Sequence, residues 1–218
     1  MALSDAFSNA APIPQYMFRS PLTVAVCASV NVTIAGQASS VFDGYDLSGP
    51  ASSAKVLLTG QTLPAQNGPY SINSDVTDPL SGVTIPGTLN GSGTAQITGL
   101  IPGKLYYITG TAGIGVNNGV VTIADVNATP AMIAPTAGGI LTVTGANNGS
   151  LATLFVFGSK MEREASYNGS DEWPHLNQFV VTNGAANSGR WVCTTAIPIV
   201  IDTTALAFTK KLATPASI

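Results

Sequence analysis

The chain reads as short apolar runs separated by Gly, Pro, Asn, Ser and Thr, too brief for most helices. From Leu22 to Ile34 the order Leu-Thr-Val-Ala-Val-Cys-Ala-Ser-Val-Asn-Val-Thr-Ile puts Leu22, Val24 and Val26 on one face, with Val30, Val32 and Ile34 continuing. Period-two alternation of β-branched residues predicts half-buried strand, here two strands with a break near Ala28-Ser29. Val41-Phe42 runs into a turn at Asp43-Gly44, and Lys55 to Leu58 forms a further strand. Asn67-Gly68 then supplies a positive φ before Tyr70-Ser-Ile72. Pro69 lacks an N–H, which predicts that this strand begins at a sheet edge.

The character changes between Asp75 and Gly158, where only Asp75, Asp78, Lys104 and Asp125 are charged and glycine is frequent. Strands are predicted at Gly93 to Ile97, Leu105 to Thr109, Val120 to Ala124, Met132 to Ile133, Ile140 to Thr144 and Leu154 to Phe157. Pro102-Gly103 makes a tight turn, and Tyr106-Tyr107 places one ring on each face of the strand that follows. The expected fold class is all-β: a discontinuous β-sandwich or β-barrel-like domain, residues 21–74 plus 159–211, with a second small β domain, residues 75–158, inserted. Residues 1–20 form an arm and residues 212–218 a tail. An insertion needs its two ends close together, so Asp75 and Gly158 are expected to be spatial neighbours.

Composition sharpens this picture. Hydrophobic residues make up 45% of the 218 positions and charged ones 9%, against roughly 25% charged in an average domain. A surface so poor in charge has little electrostatic protection against association, which favours an oligomer. Eight basic and eleven acidic residues give a net charge of −3, and no basic cluster exceeds Lys210-Lys211. Nucleic acid binding needs many phosphate-neutralising contacts, so it is not expected. No run approaches the roughly 20 apolar residues of a membrane-spanning helix, and the N-terminus lacks the pattern of a secretory signal. Cys27 and Cys193 are expected as buried thiols.

The residue types that carry chemistry are sparse. His175 is the single histidine, and Gly91-Ser92-Gly93 does not make a nucleophile elbow beside it. Glu162, Glu164, Asp171 and Glu172 belong to a charge-rich stretch holding six of the nineteen charged residues in thirteen positions, which reads as a solvated loop or short surface helix. Asp43 with Asp46, and Asp75 with Asp78, read as turn-forming residues rather than halves of a calcium site. Gly113-Ile-Gly115 with Gly119 leads into Asn117-Asn118, a turn signal, where a nucleotide fingerprint would open a helix. No catalytic residue, no metal and no cofactor is expected. Trp191, alternating with Val192 and Cys193, reads as core. Trp173 reads as the better candidate for a surface contact to a partner or ligand. Tyr16 and Phe18, on the arm, are the candidates for docking on a neighbour.

Two segments carry a resemblance. Lys55-Val-Leu-Leu-Thr-Gly-Gln-Thr-Leu-Pro-Ala-Gln-Asn-Gly-Pro-Tyr70, completed by Phe179 to Thr195, Pro198 and Asp202 to Phe208, resembles a split module of bacteriophage tail-fibre and spike-type minor structural proteins. Gly99-Leu-Ile-Pro-Gly-Lys-Leu-Tyr-Tyr107 is similar to a second phage structural element. The resemblance implies a non-enzymatic virion protein displayed on the particle exterior: a short spike, a fibre adaptor or a capsid decoration, assembled in the host cytoplasm. It further implies other capsid or tail proteins as partners, a homo-oligomer, in particular a trimer, and contact with a host-surface glycan. The rival expectations are a polysaccharide-degrading tail protein and a carbohydrate-binding module.

Overall fold

The computed structural model describes residues 20–36, 38–50, 54–75, 83–87, 94–110, 113–117, 120–124, 131–145, 152–169, 173 and 176–211. The fold is all-β, and the helical elements among the described residues are single 3-10 turns at Pro64–Gln66 and Ala165–Tyr167. The strands are β1 (Leu22–Val24), β2 (Val26–Ala28), β3 (Val41–Phe42), β4 (Tyr45–Asp46), β5 (Gly49–Pro50), β6 (Lys55–Leu58), β7 (Gly68–Asp75), β8 (Val83–Gly87) and β9 (Thr94–Ile97). They continue with β10 (Tyr106–Gly110), β11 (Gly113–Asn117), β12 (Val120–Ala124), β13 (Ala131–Ile133), β14 (Leu141–Gly145), β15 (Ala152–Arg163), β16 (Gln178–Val181), β17 (Gly189–Cys193) and β18 (Phe208–Lys211).

A large sheet runs β2-β6-β7-β15-β10-β13-β5, with β8 also paired to β15; a smaller one runs β1-β16-β17-β18, and a third runs β11-β12-β14-β9. The centre of this arrangement is β6. Val56, Leu57 and Leu58 are all fully buried, which requires cover on both faces of the strand. Leu57 points into one core with Cys27, Phe179, Trp191 and Cys193, while Val56 and Leu58 point into another with Val26, Phe42, Tyr70 and Ile72. Its neighbour β2 repeats the arrangement, with Cys27 on the first side and Val26 and Ala28 on the second. Outside this centre β7 alternates: Tyr70 and Ile72 are buried, whereas Ser71 and Asn73 are only partly so.

The break expected near Ala28-Ser29 lies instead at Ala25. There the chain leaves β16, its parallel partner through β1, and joins β6, its parallel partner through β2. Residues 29–34 are not strand, and Val30 is 67% exposed. Pro69 stands inside the large sheet, opposite Leu57, rather than at an edge. Its carbonyl accepts from the Glu164 N–H, so its missing N–H points towards β15 just past the last registered pair, Tyr70 with Arg163. The bond it cannot make is the return bond to the Glu164 carbonyl, and that carbonyl accepts from the Tyr167 N–H at 2.8 Å instead.

Gly158 is in register with Asp75 on the neighbouring strand, so the chain leaves and re-enters at adjacent points, as an insertion requires. The strands β8, β10 and β13 between these points are nonetheless sewn into the large sheet. The twelve-residue β15 pairs with β8 and β10 along its first half and with β7 along its second. Leu105 and Met132 share a core with Val56 and Tyr70, and the buried Ser159 hydroxyl donates to the Leu105 carbonyl at 2.7 Å while accepting from the Ala38 N–H at 3.0 Å.

Two changes probe this division of the core. Leu57→Ala and Leu105→Ala should each cost about 2–5 kcal/mol. Both should lower the denaturation midpoint followed by tryptophan fluorescence, although Leu105 lies in the core that contains neither Trp173 nor Trp191. A Leu105→Ala variant with an unchanged tryptophan transition would show that the cores unfold separately.

Candidate functional site

A cleft of about 340 Å³ opens beside β2, its apolar wall made by Ala28, Val30, Val32, Val41 and Phe42 and its polar side by Ser29, Ser39, Asp43 and Asn187, with Cys27 at its base. Its size is at the lower end of small-molecule sites. The turn between β3 and β4 builds one rim. Asp43 and Gly44 both take positive φ, 48° and 74°, a conformation that Asp tolerates better than most residues because its short side chain bonds locally. The Asp43 carboxylate accepts the backbone N–H of Ala186 and that of Asn187, the latter at 2.7 Å. Gly184 must be glycine here, since it has φ 110° and a Cβ would stand 2.4 Å from the Asp43 carboxylate. Asn187 in turn accepts from the Trp191 indole N–H at 2.8 Å and donates to Ser29 Oγ at 3.2 Å.

The groups lining the cleft that could do chemistry are occupied structurally. Burial pushes the Cys27 thiol up to about 11, a hydrogen bond with Thr59 opposing the rise in part. A thiol at that value carries almost no thiolate at neutral pH and is a poor nucleophile. Asp43, the one carboxylate among the described lining residues, holds two backbone amides of the facing loop. The cleft can accommodate an apolar group against Ala28, Val30, Val32, Val41 and Phe42.

The most elaborate polar construction lies elsewhere, around Arg163. Its side chain is 6% exposed. The guanidinium donates to the carbonyls of Asn67 at 2.9 Å and Ala65 at 3.1 Å, pairs with Asp202 at 3.1 Å and sits 5.0 Å from the centre of the Tyr70 ring. Asn67 extends the network: its amide donates to the Leu206 carbonyl and accepts from the Gln61 N–H, both at 2.9 Å. Gly68, with φ 135°, leaves the space this needs, because a Cβ there would meet Arg163 at 2.6 Å and Trp173 at 3.4 Å. The Asn67-Gly68 signal is therefore a cradle for a buried cation as well as a turn.

The structure relocates several candidates. Trp173 is a core residue rather than a surface contact: it is 3% exposed, its Nε1 donates to the Tyr167 carbonyl at 3.0 Å, and its ring packs edge-on against Tyr167 and Phe208. An aromatic cluster with Phe179 draws it inward. Trp191 and both cysteines are buried, and the thiols are free. The first part of the charge-rich stretch is the end of β15, not a loop or surface helix. There Glu162 pairs with Lys160 at 2.7 Å and accepts from Asn73 at 2.8 Å, and Glu164 pairs with Lys55 at 2.9 Å and accepts from Ser71. Asp46 caps the Ser48 N–H at 2.9 Å, a turn role. Gly113 to Gly115 form part of β11, paired antiparallel with β12. Tyr16, Phe18, Asp78, Ser92, Asp171, Glu172 and His175 lie outside the described residues. Among the described residues no three His, Cys, Asp or Glu side chains come together.

Sequence reasoning missed the cleft and the Arg163 hub. The hub had a signal in Asn-Gly followed by Pro-Tyr, but which cation would fill it depends on the register of β7 against β15. Substituting Arg163→Lys removes the planar fork and should cost about 1–3 kcal/mol in chemical denaturation; an unchanged midpoint would show that the fork contributes nothing. The thiol gives a pH test. Because the folded-state value of Cys27 is raised from 9.0 to about 11, its contribution to stability is whole below pH 9 and is lost as pH rises through 9 to 11. Cys27→Ala should therefore flatten the alkaline fall of stability across that window, measured by urea denaturation at successive pH values.

No family model, curated protein or solved structure matches this chain.

Proposed function

We propose that the chain is a non-enzymatic structural protein of a bacteriophage virion, displayed on the particle exterior as a short spike, fibre adaptor or capsid decoration. The observation that carries this reading is β15. It continues the sheet of the base into the inserted unit as one unbroken strand, which is a means of holding a displayed unit rigidly on its support. The resemblance of the two sequence segments to phage modules points the same way. The polar groups at the base support it too: Arg163, Asn67 and Asp43 each bind backbone of a distant segment, and Glu164 binds the side chains of Lys55 and Ser71, which serves rigidity.

In this reading residues 1–20 attach the protein to the capsid or tail, with Tyr16 and Phe18 as contacts, and the protein assembles as a homotrimer in the host cytoplasm before joining the virion. The carboxylates of Glu162 and Glu164 are engaged by Lys160, Asn73, Lys55 and Ser71, which favours display over polysaccharide cleavage. Deleting residues 1–20 should leave a folded protein that no longer sediments with particles, and the intact protein should run near three times its 22.1 kDa chain mass. Retention of the deletion variant on particles would overturn the role given to the arm, and a monomer mass that of the trimer.

A further inference from the structure

We infer that the outer face of the small sheet carries a binding site for an acidic glycan, built on Arg190 and Lys211. These two residues stand directly opposite each other across β17 and β18. Both are exposed. Directly opposed residues of an antiparallel pair have their Cβ atoms about 4.5–5.5 Å apart, and like charges there are destabilising.

Most of the other described cations are engaged, Lys104 being another without a carboxylate partner. Lys55, Lys160 and Arg163 each pair with a carboxylate, and the Lys210 ammonium is anchored on the Ala186 carbonyl. Among the described residues no carboxylate lies within 4 Å of Arg190 or Lys211. A chain with eight basic residues against eleven acidic ones has ample means to avoid such a pair. A local rule broken without a structural gain is where function is expected.

The ligand chemistry follows from the face. Alternation puts Val180, Val192 and Thr209 on the same side of the sheet as the two cations, with Val192 buried, Val180 half-buried and Thr209 exposed beside Lys211, while Phe179 and Trp191 point the other way into the core. An Arg fork takes a carboxylate by two parallel N–H bonds, and the neighbouring Lys adds a second charge to the same anion. Two cations suit the single carboxylate of a uronic sugar and fall short of the run of phosphates a nucleic acid presents. The site supplies a chemistry for the host-surface contact in the proposed function and rests on that reading for its setting. Binding by the isolated protein is a separate matter from attachment to the particle, so the two tests fail independently.

The experiment uses the full chain and three immobilised probes: polyuronate, neutral dextran and a single-stranded DNA oligonucleotide. Retention on polyuronate alone, falling with salt and about tenfold weaker in the Arg190→Gln/Lys211→Gln variant, is the expected result. The same variant should unfold at an unchanged or higher temperature, since a repulsion has been removed. Absent or unaltered polyuronate binding overturns the site, and equal retention on DNA overturns its glycan character. A lowered unfolding temperature reveals an internal counter-charge and also overturns it.

Discussion

Everything in this molecule is arranged around a strand that has no polar face. Val56, Leu57 and Leu58 are all excluded from water, and each such side chain gains about 1.5–3 kcal/mol from burial. One layer cannot cover both sides of a strand, so the chain builds two. The small sheet supplies Phe179, Trp191 and Cys193 to one face, and the loop after β2 with the continuing large sheet supplies Ala38, Phe42, Tyr70 and Leu105 to the other. This explains why segments far apart in sequence, on either side of the insertion, have to meet.

The polar architecture follows from the same arrangement. Covering both faces of β6 brings long connectors over the sheet, and their backbone groups need partners. Arg163 and Asn67 serve the connector at residues 61–67, and Asp43 serves the one at residues 184–187. Arg163, Asn67 and Asp43 are thus used to hold backbone. The Arg190 and Lys211 pair is different: its two cations stand opposite each other, exposed, with no carboxylate partner among the described residues.

Much of the strand content was legible because it rests on local pattern. The alternation through Tyr70 and Ile72, and the apolar run at residues 55–58, translate directly into strands, whereas Val24 and Val26, expected on one face, enter different cores because the chain changes partner at Ala25. Asp75 and Gly158 were legible as neighbours because an insertion constrains its ends. Several strands were not foreseen, among them Tyr45–Asp46, Gly49–Pro50, Val83–Gly87 and Gly113–Asn117: the β-branched start Val83-Thr84-Ile85 is cut short by Pro86 and Gly87, Gly113–Asn117 is rich in glycine, and pairing with β15 and β12 makes strands of these two. The position of the break at Ala25 depends on which partner each half finds, which is tertiary information. Trp173 was misread because its neighbours in sequence are polar, while its neighbours in space are Tyr167 and Phe208. Arg163 looked like one charge among six in a solvated stretch; burial beside Tyr70 is visible only once β7 and β15 are set in register.

The central claim, that β6 and its two-sided cover organise the fold, is tested most directly by native-state amide hydrogen exchange. The account predicts that the amides of β6 and the adjoining residues of β7 exchange only through global unfolding, slower than those of β11 to β14. If the slowest amides belong to β11–β14 while β6 exchanges by local opening, the organising centre lies in the inserted unit and the account is wrong.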